Sequence, residues 1–397
     1  MVPADTGTED HQVNWIFWIS FLLLAYTYLG YALWLWLYQQ WCFRPVDKRA
    51  ITPSVSIVIA AHNEAAVLPR KLNNLSQLEY PQELLEIIVV SDGSTDDTDQ
   101  ILKSASTPNF LSLSLSQHSG KVAALNRGIA TAKGDVIVFM DARQEIEPDA
   151  VAKLVRNFAD PTVGCVSGEL MLKKVTSSAG QEGLGLYWRI EKAIRKMESN
   201  TGSVVGATGA LYAARRELLA PMPEGALTSN AGDWNIRPLL DDVFLPLSVA
   251  AQGKRIVFEP EARAWDEMPR DAMKEFRRKV RTSTGNYQLI WLAPWLLTRA
   301  NPLRFRFISH KLSRLVAPLA LAALLLSSIW LDGAVYRAAL IFQTCFYASS
   351  AGALFQKPFG IVTKLGKATS AFLLLNAAAV LAFFNFIARK RPVWFCA

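Results

Sequence analysis

Carboxylates recur just past the apolar runs of this chain. The run 134–143, GDVIVFMDAR, ends in Asp141, Ala142 and Arg143; the run 86–94 ends in Asp92, Gly93 and Ser94; and 55–64 ends in His62, Asn63 and Glu64. In open α/β sheets, ligands bind outside the carboxyl ends of the strands, so an acid placed there is a candidate for holding a substrate or a metal. A solvated turn is the plain alternative, because Asp is common in turns anyway. A further pair, Asp241 and Asp242, opens an apolar helical pattern (Val243, Phe244, Leu247, Ala250). The helix dipole alone accounts for acids at a helix start. Arg277, Arg278, Lys279 and Arg281 form a dense basic cluster, which reads as a phosphate site or as a solvated helix face. Cys42, Cys165, Cys345 and Cys396 are far apart and have no metal-ligand spacing, so neither a zinc site nor a disulfide framework is expected.

These residues need a scaffold that brings strand ends together. Between 51 and 285, apolar strands at 55–60, 86–90, 110–115 and 135–140 alternate with helical stretches at 95–103 and 121–132 and with an apolar-faced helix carrying Val67, Leu68, Leu72 and Leu75. That alternation predicts a parallel sheet with helices on both faces. Beyond it come a strand at 163–170, a charged helix at 182–198, a glycine-rich loop entering a strand at 202–216 (GSVVGATGALYAARR) and a strand at 255–260. No GxGxxG follows the first strand and no GxxxxGKS occurs, so a Rossmann dehydrogenase and a P-loop ATPase are poor fits.

The flanks have a different character. The chain is 51% hydrophobic yet 19% charged, with a net charge of +8, a balance that fits a soluble domain carried by membrane segments. An acidic tail at 1–12 precedes 13–43, which contains no charged side chain and is long enough for a spanning helix, for which about 20 apolar residues suffice. Arg44, Lys48 and Arg49 follow at once and place the N-terminus outside and the next domain in the cytosol. Residues 287–307 mix Trp and Leu with Arg299, Arg304 and Arg306 and read as an in-plane interfacial segment. The region 312–390 holds three near-spanning stretches, 315–331, 338–356 and 368–388. Lys357, Lys364 and Lys367 put the loop before the last stretch in the cytosol. Arg389, Lys390 and Arg391 would then lie outside, against the positive-inside rule. The basic residues gather beside the apolar segments rather than in a surface stripe, so nucleic acid is not an expected partner.

Taken in order, the motifs resemble those of the membrane-bound family 2 glycosyltransferases, such as the poly-N-acetylglucosamine, hyaluronan, chitooligosaccharide and cellulose synthases. The resemblance rests on SIVIAAHNEA (56–65), VVSDGSTDDT (89–98), KVAALNRGIATAKGD (121–135), FMDAR (139–143), GATGALYAARR (206–216), LLDDVFLPL (239–247), FEPEARAWDEMP (258–269) and RKVRTSTGN (278–286). It implies a Rossmann-like α/β nucleotide-sugar-binding domain of GT-A type (51–285), inserted between transmembrane helices of a multi-pass inner-membrane protein. It implies transfer from a UDP-sugar to a polysaccharide or lipid-linked acceptor. By the same resemblance His62, Glu64 and Asp92 hold the uridine, and Lys121 faces the diphosphate. Asp141 holds the sugar nucleotide and its Mg²⁺ or Mn²⁺, Arg278 and Arg281 close over the donor, and Gly206, Ala207, Thr208 and Gly209 line the acceptor end. Asp242, with Asp241 beside it, supplies the general base. A base opposite the leaving group predicts inversion.

The departures from the family pattern matter. The DxD motif reads Asp141-Ala142-Arg143, so its second acid is missing. One Asp with the donor phosphates suffices for an Mg²⁺ that keeps several waters, or Arg143 pairs with the diphosphate itself. The Q-x-x-R-W motif reads Arg278-Lys279-Val280-Arg281-Thr282 and has lost its Gln and Trp, which weakens the case for a processive polymerase. A processive synthase, a single-addition enzyme and a catalytically weak nucleotide-sugar-binding component of a synthase complex remain open. Few spans make a small bundle, so a channel would need the interfacial helices, a homo-oligomer or export partners.

Overall fold

The computed structural model describes residues 6–105, 108–173, 181–223, 240–267, 272–355 and 360–388. The expectations placed on residues 1–5 of the tail, on Lys357 and on Arg389, Lys390 and Arg391 lie outside them. Eight strands form one sheet: β1 (Val55–Ala61), β2 (Leu85–Asp92), β3 (Phe110–Leu115), β4 (Val136–Phe139), β5 (Glu145–Ile146), β6 (Val163–Lys173), β7 (Tyr212–Arg215) and β8 (Arg255–Glu267). Their order is β3-β2-β1-β4-β7-β6-β8-β5.

The predicted parallel sheet holds for β1 to β4, in which β1 pairs in parallel with β2 and β4, and β2 with β3. The sheet as a whole is mixed, because β7 runs antiparallel to both β4 and β6, and β5 antiparallel to β8. Helical crossovers such as Leu68–Ser76 and Lys121–Thr131 return the chain to the same sheet end and so enforce parallel pairing. By contrast, β7 is entered from the glycine-rich 201–211 loop, which starts it at the carboxyl end of β4: Tyr212 pairs with Phe139. That loop therefore lies over the strand end bearing Asp141. With β2 on one side of β1 and β4 on the other, the strand order reverses at β1, and a crevice forms there at the carboxyl edge.

The buried runs of the sequence explain both faces. In β1, Ile57 and Ile59 point into one core cluster and Val58 into the other, all fully buried. Each contributes about 1.5–3 kcal/mol by burial. The helix Lys121–Thr131 lies so close to the sheet that a Cβ on Gly128 would stand 2.4 Å from Val58 Cγ1, so only glycine fits.

Among the described residues, three helices are long and apolar enough to cross a membrane: His11–Trp41, Arg304–Trp330 and Thr369–Ile387. They flank the sheet domain, and their outer faces expose Leu22, Leu319, Leu326 and Ile329. Of the stretch predicted at 338–356, residues 338–355 lie in the helix Ala334–Phe355, and the last residue lies outside the described residues. The proposed boundary between the catalytic domain at 285 and the interfacial segment at 287 falls inside one continuous helix, Ala272–Leu292. That helix packs Val280 against Ala378 and Ala382 of the third apolar helix, which fixes its roll over the sheet edge.

Candidate active site

The carboxyl ends of β1, β2 and β4 converge as the sequence predicts, and the side chains there are held by specific bonds. Asn63 adopts a positive φ of 53°, a conformation Asn tolerates, and its Oδ1 accepts from Thr95 N at 2.8 Å. Glu64 N donates to Thr98 Oγ1 at 2.9 Å. These bonds clasp the β1 and β2 ends together. Burial raises the Glu64 carboxyl, with Asp141 and Asp96 adding to the shift and Arg143 opposing it, so Glu64, Asp141 and Arg143 share one field.

Asp92 is 2% exposed. Its carboxylate accepts from Ser119 N and Gly120 N, each at 2.7 Å, and from His118 Nδ1 at 2.9 Å. It thereby fixes the turn that opens the Lys121–Thr131 helix. His62 Nδ1 lies 2.7 Å from Asp92 O, and the His62 and His118 rings touch in a tilted pair with centroids 4.1 Å apart. The two imidazoles and Asp92 offer ligand atoms within 4.8 Å of one another, a nitrogen-rich set suited to zinc-like ions rather than to Mg²⁺. His118 was not marked by the sequence, since a lone His has no pattern to betray it.

Lys121 is the centre of the acid cluster. Its Nζ lies 2.9 Å from Asp141 Oδ1 and 3.0 Å from Asp241 Oδ1. Burial works to lower the Lys121 ammonium, but Asp141, Asp241 and Asp242 outweigh it and hold the group above its usual range. Asp241 is buried, and its other oxygen accepts from Tyr212 OH at 3.0 Å. Burial and the Asp241 charge push the Tyr212 phenol well above its usual range. Both oxygens of Asp241 are therefore occupied, which makes it a positioning acid. Asp242 differs: it is half-buried, and burial together with the Asp241 charge raises its carboxyl to about 6, against the pull of Lys121 and Lys311.

The glycine-rich loop wraps this acid. Gly209 N donates to Asp242 Oδ2 at 3.1 Å, Ala207 N donates to Asp242 O at 2.7 Å, and Thr208 N donates to Ser167 Oγ at 3.1 Å. Arg195 ties down the Gly206 carbonyl at 3.1 Å. A Cβ on Gly209 would stand 3.4 Å from Asp242 Oδ2 and 3.8 Å from Asp141 Oδ2. Two carboxylate oxygens thus face the same glycine from different elements. Such hard oxygen donors fit Mg²⁺ or Mn²⁺, and Asp141 Oδ2 is the oxygen left by Lys121 to hold it.

The basic residues separate. Arg278 is spent on buried Glu275, with Nε 2.9 Å from Oε2 and Nη2 2.9 Å from Oε1. Arg281 instead lies in the field of the cleft acids: desolvation lowers its guanidinium, Asp141 and Asp242 pull it up, and Arg143 and Arg278 push it down. Among the described residues neither Arg143 nor Arg281 has a side-chain ion pair, so two uncommitted guanidiniums border Asp141.

The sequence also missed Lys71. The helix Leu68–Ser76 buries Lys71 between Leu68 and Leu75, where the apolar pattern puts Leu72, which is only half-buried. The register is set by a bond: Lys71 Nζ donates to Gln144 O at 2.7 Å. Arg70 donates to Arg143 O at 3.1 Å, and Asn74 brackets Ile146 through its O and N, each at 2.9 Å. One helix face therefore grips the backbone just after Asp141. Burial lowers the Lys71 ammonium to about 7 despite Asp141 and Glu145, with Arg70 adding to the depression. A cation depressed in the fold penalises folding below pH 7 and releases that penalty as pH rises from about 7 toward about 10.4. Thermal unfolding of Lys71→Met at several pH values should therefore show a flatter rise in stability over that window; an unchanged slope removes the buried charge from the account.

Comparison with known proteins gives this geometry a family. A model of the family Glycosyl transferase family 2 matches residues 56–220. A poly-beta-1,6-N-acetyl-D-glucosamine synthase of Staphylococcus aureus is 25% identical over 238 residues, 59% of this chain and 55% of that protein. The probable glycosyltransferase YdaM of Bacillus subtilis is 30% identical over 249 residues, 60% of this chain and 56% of that protein. The matched part spans little more than half the length of either relative. Among solved structures, the mannosyltransferase PcManGT of Pyrobaculum calidifontis, in complex with GDP-Man and Mn²⁺, superposes with a TM-score of 0.68 at 21% identity over 95% of this chain and 100% of that one. Residues 56–220 carry the signature of glycosyltransferase family 2, and the sheet they build has a GT-A-like fold.

Proposed function

We propose that this chain is an integral-membrane, inverting glycosyltransferase that moves a sugar from a UDP-sugar to a growing polysaccharide or lipid-linked acceptor. The observation that carries the reading is Asp242: a half-buried carboxyl raised to about 6, bonded to the Gly209 amide, and set across from the Lys121–Asp141 pair. A base needs a pKa near the working pH and access to its proton, and Asp242 has both. Donor diphosphate on the Lys121, Arg143 and Arg281 side would leave Asp242 on the acceptor side, so the hydroxyl attacks from the face opposite the leaving group and the anomeric centre inverts. Mg²⁺ or Mn²⁺ on Asp141 would supply positive charge to the departing diphosphate. The three apolar helices, with Arg44, Lys48 and Arg49 directly after the first, support a multi-pass inner-membrane protein whose catalytic domain faces the cytosol.

Single addition is the favoured version of the reaction. Thr282 stands where processive relatives carry the Trp that steadies the polymer end. The resemblance to a polymer synthase supports the opposite outcome, so product length decides. The full-length protein in vesicles is to be supplied with UDP-N-acetylglucosamine and, separately, with GDP-mannose; UDP release from the first donor and a product one sugar longer are expected, and GDP release from the second would instead make the donor a GDP-sugar. Absence of nucleotide release from any donor sinks the transferase reading, and a long polymer sinks single addition. Chelation by EDTA tests Arg143: Arg143→Ala should lose about tenfold to a hundredfold in kcat/KM, because a charge-assisted contact contributes about 1.5–3 kcal/mol. Full activity of Arg143→Ala, together with strict metal dependence, overturns that role.

A further inference from the structure

The second apolar helix enters through an irregular turn. Arg304–Phe307 is α-helical, Ile308–Leu312 is a π turn, and Ser313–Trp330 resumes the α-helix. The first apolar helix has a π turn as well, at Tyr26–Gly30, and the two turns touch: Tyr26 OH and Ser309 Oγ are 2.6 Å apart. Such bulges give up regular helical bonding and concentrate at functional sites.

Nearly every polar group around this turn is committed. Arg306 donates to the carbonyls of Glu198, Ser203 and Thr201 at 2.7, 2.8 and 3.0 Å. His310 sits 3.0 Å from Glu191 and 2.9 Å from Glu198, and Tyr31 OH donates to Glu198 at 2.6 Å. Arg314 pairs with Glu191 at 2.8 Å. Two groups are exceptions among the described residues: Glu198 Oε2 is buried with no hydrogen-bond partner, and the half-buried Lys311 has neither a hydrogen bond nor an ion pair on its ammonium.

The turn that carries Lys311 is tied, through Arg306, to the chain that leads into the 206–209 loop. Leu312 packs on the large core cluster of that sheet face, which also includes Ala207 of the loop and Val243 next to Asp242. The field of the Lys311 ammonium reaches the Asp242 carboxyl. An uncommitted cation beside the proposed base, where an apolar helix begins, suits an anion that arrives from the bilayer, and phosphate is the anion a lipid-linked sugar carries.

We propose that Lys311 binds the phosphate of a lipid-linked acceptor while that acceptor's sugar hydroxyl meets Asp242. This rests on the transferase reading and narrows it to lipid phosphate- or diphosphate-linked saccharides. In the transfer, the bond from the donor C1 to the diphosphate oxygen breaks and the nucleoside diphosphate leaves with its electron pair. The acceptor oxygen bonds to C1, its proton passes to Asp242, and the lipid phosphate is unchanged.

The test uses the full-length protein in phosphatidylcholine vesicles with UDP-N-acetylglucosamine. Two acceptors are compared: undecaprenyl-diphosphate-linked N-acetylglucosamine and the phosphate-free octyl N-acetylglucosaminide. Lys311→Gln should raise the KM for the diphosphate acceptor by about tenfold or more relative to the octyl glycoside, the loss expected for one hydrogen bond to a charged group. Lys311→Arg should restore most of it, which also shows that the position folds. Equal changes for both acceptors, or no change, overturn the proposal. An effect seen only after phosphatidylglycerol is added assigns Lys311 to bilayer headgroups and overturns it too. Wild type that releases no UDP sinks the transferase reading instead, so the two failures are distinct.

Discussion

Asp242→Asn should lower sugar transfer by about 10³-fold, in the middle of the range for loss of a general base. The wild-type rate should fall with decreasing pH along a limb centred near 6, because only the ionised Asp242 accepts the proton and its carboxyl is raised to about 6 by burial and by Asp241. Asp241→Asn removes the like charge and should move that limb to lower pH. The sign for stability is the reverse of that for activity. A carboxyl raised in the fold penalises the ionised native state, so stability is lost as pH climbs from about 4 to about 6. Above that window Asp242→Asn has no such penalty and should melt about 2–4 °C higher than wild type at pH 7.5. Reduced activity in a better-folded protein separates catalysis from misfolding. A variant that keeps its turnover, or a pH limb that ignores Asp241→Asn, removes Asp242 as the base.

Lys121→Met should be nearly as damaging, for a different reason. Its ammonium lies between Asp141 and Asp241, at 2.9 and 3.0 Å, and the Asp241 side chain is only 4% exposed. Removing one partner of a buried ion pair leaves a carboxylate uncompensated, at a cost of about 3–5 kcal/mol. The variant should lose at least about 10²-fold in kcat/KM. Its acid limb should rise above 6, because Lys121 is one of the charges that hold the Asp242 carboxyl down. Lys121→Arg keeps the charge and should hold the limb near its wild-type position. If the limb of Lys121→Met does not move, Lys121 and Asp242 are not electrostatically linked as their positions imply. Mass and circular dichroism of the purified variant check that the loss is local.

Much of this site is legible in the residues alone. The apolar runs ending in Asp92 and Asp141 mark strands because a strand buried on both faces tolerates no polar interruption, and Asp241-Asp242 marks a helix start because acids are favoured there. The uncharged 13–43 run is equally plain, since a membrane demands a length that chance rarely supplies. The roles within the pair Asp241-Asp242 are not legible. Only the fold sends Asp241 inward to Tyr212 and Lys121 and leaves Asp242 half-exposed beside Gly209. Arg278 and Arg281 look alike in a basic run, yet helix roll against Ala378 and Ala382 gives one to Glu275 and leaves the other in the field of the cleft acids.

Lys71 and Lys311 mark the limit most clearly. Lys71 looks like a surface residue in an amphipathic helix, and Lys311 like any basic residue flanking an apolar segment. Lys71 is buried because a carbonyl 73 positions away waits for its ammonium. Among the described residues Lys311 has no ion pair, while His310 and Arg314 hold Glu191 and Glu198 beside the turn. Sequence alone determined the strand ends, the acids upon them and the apolar flanks, because those follow from local pattern and from solvent. Only tertiary structure decided which charges are spent on one another and which remain for a substrate. Apart from the local Glu275–Arg278 pair, that pairing joins residues tens to more than a hundred positions apart, such as Lys121 with Asp141 and His310 with Glu198, and no local pattern encodes it.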